Sequence, residues 1–182
     1  MHNLFGGGTR SAVFLLGVAL LVGPATSCSS SSATQEYAVP GDVCGTEVTS
    51  DLLAPLLPAG KRISARPTSA VGTERCRLLV DGEIAFSSSV EKRAANTTAS
   101  DVASSAYGMD PTDTSADGGR VIYSTTGAVG LVHCPASASA ESTLWATVRT
   151  SHEVKAPAMR AFIEGYAAAL AGGDACRTVS VR

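Results

Sequence analysis

Charged side chains are scarce in this chain. Only 16% of its 182 residues are Asp, Glu, Lys or Arg, and fourteen basic residues against sixteen acidic ones leave a net charge of −2 with no basic run. That balance argues against a nucleic-acid partner, because displacing the counterions around phosphates takes a concentration of cations. It also removes a polybasic route to a membrane surface. Aromatic residues make up 5%, and Trp145 is the single tryptophan. No H-E-x-x-H, C-x-x-C, Walker loop or G-x-S-x-G occurs, so the common metal, redox, nucleotide and serine-hydrolase signatures are missing. No apolar run reaches the roughly 20 residues a helix needs to cross a bilayer.

The N-terminus is the most informative stretch. Arg10 precedes an apolar run, Ala12 to Val22, broken only by Gly17 and followed by Gly23-Pro24-Ala25-Thr26-Ser27-Cys28. A basic flank, a short apolar stretch and small residues before a cut form the three-part layout of a secretory signal peptide. Ala25, Thr26 and Ser27 before Cys28 resemble the lipobox of bacterial lipoproteins, with Ala25 where leucine is usual; there the cysteine thiol is acylated and becomes the first residue of the mature chain. The alternative is cleavage by ordinary signal peptidase, secretion, and a free thiol at Cys28.

Five cysteines stand at 28, 44, 76, 134 and 176. An odd number in an exported protein calls for an explanation of the odd one, and acylation of Cys28 supplies it. The other four are expected to form two disulfides in an oxidising compartment. Four cysteines allow three connectivities. Pairing within halves, Cys44 with Cys76 and Cys134 with Cys176, is favoured because each half carries one helix, about three strands and two cysteines. Each bridge would contribute roughly 3 to 4 kcal/mol through the entropy of the unfolded chain.

The chain thus divides into a signal peptide (1–27), a lipid anchor with a Ser/Thr-rich spacer (28–42) and one domain (43–182). Ser29-Ser30-Ser31-Ser32-Ala33-Thr34-Gln35 offer nothing to pack and read as a flexible spacer between anchor and domain. Hydrophobic residues at 45% can build a core. Val48, Leu52, Leu53, Leu56 and Leu57 recur at helical spacing until Pro58-Ala59-Gly60, with Pro55 marking a kink or a start nearer Ser50. A strand at Arg62 to Arg66 ends at Pro67. Residues 76–80 and 83–90 flank Asp81-Gly82, a dipeptide that accepts the positive φ angles of a tight hairpin. A short helix at Ala99 to Ala106 lies within a long loop. Strands follow at Arg120 to Ser124, Ala128 to Cys134 and Thr143 to Thr150. Met159, Phe162, Ile163, Tyr166 and Leu170 then form one apolar stripe on a helix from Ala156 to Ala171, ended by Gly172-Gly173. The fold class expected is α+β: an antiparallel sheet of about six strands with helices packed on one face and two disulfides.

Taken together, the export signal, the lipobox-like Cys28, the Ser/Thr spacer, the Cys76-Arg-Leu-Leu-Val-Asp-Gly82 hairpin and the Phe162-to-Leu170 helix ending at Cys176 resemble small surface lipoproteins of Streptomyces and related actinobacteria. The resemblance implies a location on the outer face of the cytoplasmic membrane, and a fold. It implies no active-site residue.

Chemistry-bearing candidates are few. His133 and His152 could each serve a hydrolase triad if a serine and a carboxylate converged on one of them. Asp113, Ser115 and Asp117 before Gly118 match the opening of a calcium loop, but its twelfth position is Ser124 in place of a bidentate glutamate. Trp145 alternates with Thr143 and Thr147 on one strand face, where it either stacks on a ligand or joins the core. Asn96-Thr97-Thr98 matches an N-glycosylation sequon. The function expected is therefore a non-catalytic binding or interaction module at the cell envelope. It needs no cofactor and takes a protein or envelope ligand, with an envelope hydrolase or a purely structural component as alternatives. A binding module predicts an exposed apolar or aromatic patch on the sheet face opposite the helices.

Overall fold

The computed structural model describes residues 34–135 and 142–179; the signal-peptide segment and Cys28 lie outside them. The domain opens with a minimal hairpin, β1 (Asp42–Val43) and β2 (Thr46–Glu47), whose turn residues Cys44 and Gly45 both hold positive φ. Next comes α1 (Ser50–Leu53), which runs into a 3-10 turn over Ala54–Leu56. Pro55 stands in the first turn of that second segment, where its missing N–H would have had no helical partner.

Three strands follow as a meander: β3 (Ile63–Ala70), β4 (Thr73–Val80) and β5 (Glu83–Ala94). Asp81 and Gly82, at φ 51° and 94°, close the second hairpin as the dipeptide predicts. The Asp81 carboxylate also accepts from the backbone amides of Lys61 and Arg62, tying the turn to the start of β3. After α2 (Ala99–Ser105) come β6 (Thr114–Ala116), β7 (Val121–Tyr123), β8 (Gly127–Val132) and β9 (Ser142–Thr150). The chain ends in α3 (Ala156–Gly172) and α4 (Asp174–Val179).

The strands make one seven-stranded antiparallel sheet in the order β3-β4-β5-β9-β8-β7-β6, with β1 and β2 as a separate pair. The α+β expectation holds, and Cys44 pairs with Cys76 and Cys134 with Cys176 as favoured. On β5 and β9 the even-numbered residues Phe86, Val90, Leu144, Ala146 and Val148 face α3, which buries Met159, Phe162, Ile163, Tyr166 and Leu170 against them. Phe86 and Phe162 meet edge to face with centroids 5.3 Å apart. Gly130 lets α3 approach β8, since a Cβ there would come within 2.9 Å of Ile163 Cγ1.

Several details differ from the sequence expectation. The seventh strand is β6, three residues long and without the β-branched run that marks a strand from sequence. β3 continues through Pro67 to Ala70; it is an edge strand, where a residue without an N–H is tolerated. α1, α3 and α4 follow the one-face expectation, whereas α2 lies over the opposite face, on Ile122, Val129 and Trp145. The packed chain also reaches back beyond Val43. Gln35 bridges to Gly60, and its side-chain amide donates to the carbonyls of Ala54 and Leu57, 3.0 and 2.7 Å away.

Candidate functional site

The sheet face turned away from α3 has two unlike parts. Over β7, β8 and β9, α2 buries Ala99, Val102 and Ala103 against Ile122, Val129 and Trp145. Its start is fixed by a capping box: the Thr98 hydroxyl oxygen accepts from the Asp101 amide, and the Asp101 carboxylate accepts from the Thr98 amide. The Thr98 hydroxyl also donates to the Asp101 carboxylate at 2.7 Å, and this bond first, then the one from the Thr98 amide, holds the Asp101 carboxyl below the usual carboxylate range. α2 ends at Ser105, and Tyr107-Gly108 turn the chain away.

Beyond that end the face is open and arginine-rich. Cross-strand register places Arg66 opposite Arg77, Arg77 opposite Ser87, and Ser87 opposite Arg149, in one row across β3, β4, β5 and β9. A second row runs Thr68, Arg75, Ser89, Thr147. Directly opposed residues share a face, so side chains of both rows stand together. A groove of about 370 Å³ lies between these rows and the end of α2. Its lining holds four arginines, Arg75, Arg77, Arg93 and Arg149, against one carboxylate, Glu91. The groove is therefore strongly positive on a chain whose net charge is −2.

Two of the arginines are held in place. Arg93 Nη2 donates to Glu91 Oε2 at 2.7 Å and to Ser105 Oγ at 3.2 Å. The Arg149 guanidinium lies over the Tyr107 ring, 4.7 Å from its centroid, and Gly108 leaves room for it, since a Cβ there would come within 2.7 Å of Nη2. The Nε atoms of both Arg93 and Arg149 are buried with no hydrogen-bond partner among the described residues. A buried donor without a partner is uncommon in a folded chain. Arg66, Arg75 and Arg77 are exposed, and none makes an ion pair among the described residues.

A second hollow of about 300 Å³ lies on the core side, between the β1–β2 hairpin, the tip of β3 and β4, and α3. The Tyr166 hydroxyl reaches into this region 3.3 Å from Ser88 Oγ, and burial pushes its phenol pKa up.

The residues singled out from sequence fall elsewhere. Trp145 is core, 3% exposed beneath α2, with Nε1 donating to Thr143 Oγ1 at 2.9 Å. Ser115 belongs to β6, and the extended chain from Asp113 to Asp117 spans roughly 13 Å, too far for one ion to be shared. Asp113 instead accepts from the Asp110 amide. Asp117 pairs with Arg120 at 2.6 Å, and that hydrogen bond is the chief reason its carboxyl lies below the ordinary range. Among the described residues no three His, Cys, Asp or Glu side chains cluster as a metal site would require.

His133 is exposed after β8, and His152 is half-buried after β9, its Nδ1 without a hydrogen-bond partner among the described residues. Neither lines either hollow, and neither hydrogen-bonds a serine or a carboxylate among the described residues. Asn96 is exposed in the turn after β5. The face opposite α3 is not the apolar patch expected of a binding module. The large exposed apolar side chains, Val71, Ile84 and Tyr107, are scattered, and the open face is built from arginines and hydroxyls. The signal that could have found it is the alternation Arg75-Cys-Arg77 and Ser87-Ser-Ser89-Val-Glu91-Lys-Arg93, polar at every second residue of adjacent strands. Comparison with known protein families, curated proteins and solved structures finds no match for this chain.

Proposed function

We propose that this chain is a lipid-anchored extracytoplasmic binding module, and that the arginine-lined open half of its sheet holds an anionic partner. The observation that carries the recognition surface is the row Arg66, Arg77, Arg149 beside Arg75, with Glu91 as the one carboxylate among the described residues that line the groove. Unopposed guanidinium groups side by side repel one another in the free protein, and a partner bringing carboxylates or phosphates relieves that repulsion through paired, charge-assisted hydrogen bonds. The anchor rests on the small residues before Cys28. It rests equally on the bridges Cys44–Cys76 and Cys134–Cys176, which take up four of the five thiols and leave Cys28 for acylation.

Two measurements test this reading. Intact mass of the membrane fraction is expected to give a diacylglyceryl group on Cys28 and four oxidised cysteines; a soluble chain without lipid overturns the anchor. For the surface, a chain of net charge −2 has no general reason to bind a carboxylated cation exchanger at pH 7. Retention that is lost on raising salt, and lost in the Arg75→Glu/Arg77→Glu variant, supports the anionic partner. Passage of the unaltered chain straight through the column overturns it.

A further inference from the structure

Resting on that anion-binding reading, we propose that the occupant of the groove is an acidic glycan, a chain of sugar or polyol units carrying carboxylate or phosphate groups. Three features favour it over an acidic peptide. The arginines are interleaved with hydroxyls, Ser87, Ser89, Ser105 and Thr147, all in the lining. Such a floor offers donors and acceptors for a ligand rich in hydroxyls as well as in charge.

Tyr107 supplies the second feature. It is 85% exposed at the groove's rim, yet its ring is held by the Arg149 guanidinium 4.7 Å from the centroid. An oriented aromatic plane next to a cation suits a ring with an apolar C–H face and an anionic substituent, and an exposed tyrosine costs little side-chain entropy to use.

The third feature is what the groove withholds from a peptide. It lies on a sheet face whose strands are already paired on both sides at β4, β5 and β9, so no extended peptide can add as a strand there. Apart from Cys76, whose sulfur is in its disulfide, and the ring of Tyr107 at the rim, the apolar lining is Val102 and Ala106, too little to seat the apolar stripe of a helix. A chain lying across the strands instead meets Arg66, Arg77 and Arg149 in turn, separated by about 5 and about 10 Å, while Arg75 lies about 7 Å along β4 from Arg77.

The test is binding of four probes of matched length to the full chain: oligogalacturonate, a phosphorylated dextran, neutral dextran and polyglutamate. At least one acidic glycan is expected to bind about tenfold more tightly than polyglutamate, with neutral dextran weakest. Tyr107→Ala is expected to remove that margin, about tenfold for one well-made aromatic contact, by weakening glycan binding far more than polyglutamate binding. The better of the two glycans identifies carboxylate or phosphate as the anion. Polyglutamate binding as tightly as the better of the two glycans, or a Tyr107→Ala variant that loses nothing, overturns the glycan and leaves the anion surface standing. If no anionic probe binds, both fall.

Discussion

On β9, Trp145 and Arg149 point to the same side of the sheet four residues apart, and they meet opposite fates. Trp145 is sealed beneath α2, whereas Arg149 lies at the mouth of an open groove. The strands on either side repeat the contrast. Ile122 and Val129 of β7 and β8 are covered, while Arg75, Arg77, Ser87 and Ser89 of β4 and β5 are not. The difference is the reach of a seven-residue helix. α2 is too short to be stable alone, so it survives by burying one apolar side on the strands directly beneath it. Where it stops, the outward positions turn polar. The open half of the sheet is thus as specifically composed as the covered half, in guanidinium groups and hydroxyls where the other has apolar side chains.

The largest effect separating the halves is expected from Trp145→Ala. Removing a buried indole should cost about 3 to 5 kcal/mol, read as a fall in the denaturant midpoint at unchanged slope; a cost under 1 would mean that the α2 half is not a true core. The cap of α2 is a smaller lever on the same half. Thr98→Ala should cost about 1 kcal/mol and speed amide exchange at Ala99 to Ala103 without altering exchange in β4.

Acid acts on that cap through Asp101. Because its folded pKa lies below the unfolded one, the carboxylate's contribution is complete above the ordinary aspartate range, about pH 4, and is lost as pH falls through the folded value. Protection of the amides at the start of α2, taken relative to intrinsic exchange at each pH, should therefore fall on acidification through that window, and Asp101→Asn should abolish the pH dependence. The smallest effect on stability belongs to the open half. Arg75→Ala and Arg77→Ala should each shift unfolding by no more than about 0.5 kcal/mol. A larger loss would make these side chains part of the scaffold and not of a binding surface.

Much of this architecture is legible in the sequence because its determinants are local. Asp81-Gly82 specifies its own turn, the Met159-to-Leu170 stripe specifies a helix by period alone, and α2 emerges within one residue of its expected end. The two bridges are, of the three connectivities the sequence left open, the one favoured by dividing the chain into halves. What was hidden depends on distant neighbours. β3 runs through Pro67 only because it is an edge, and β6 is a strand only because β7 offers it a partner. The candidate site is the extreme case. Its arginines come from four strands, and β5 meets β9 across half a hundred intervening residues. Each strand alone shows one or two unremarkable cations, and the charge of the groove exists only once the strand order is known.

Both ends of the seven-stranded sheet discourage growth. At one end β6 offers only three residues to an incoming strand, and at the other the outer rim of β3 is interrupted in mid-course by Pro67 next to the charge of Arg66. A crowded population of these molecules therefore has no continuous ladder along which to zip into fibrils.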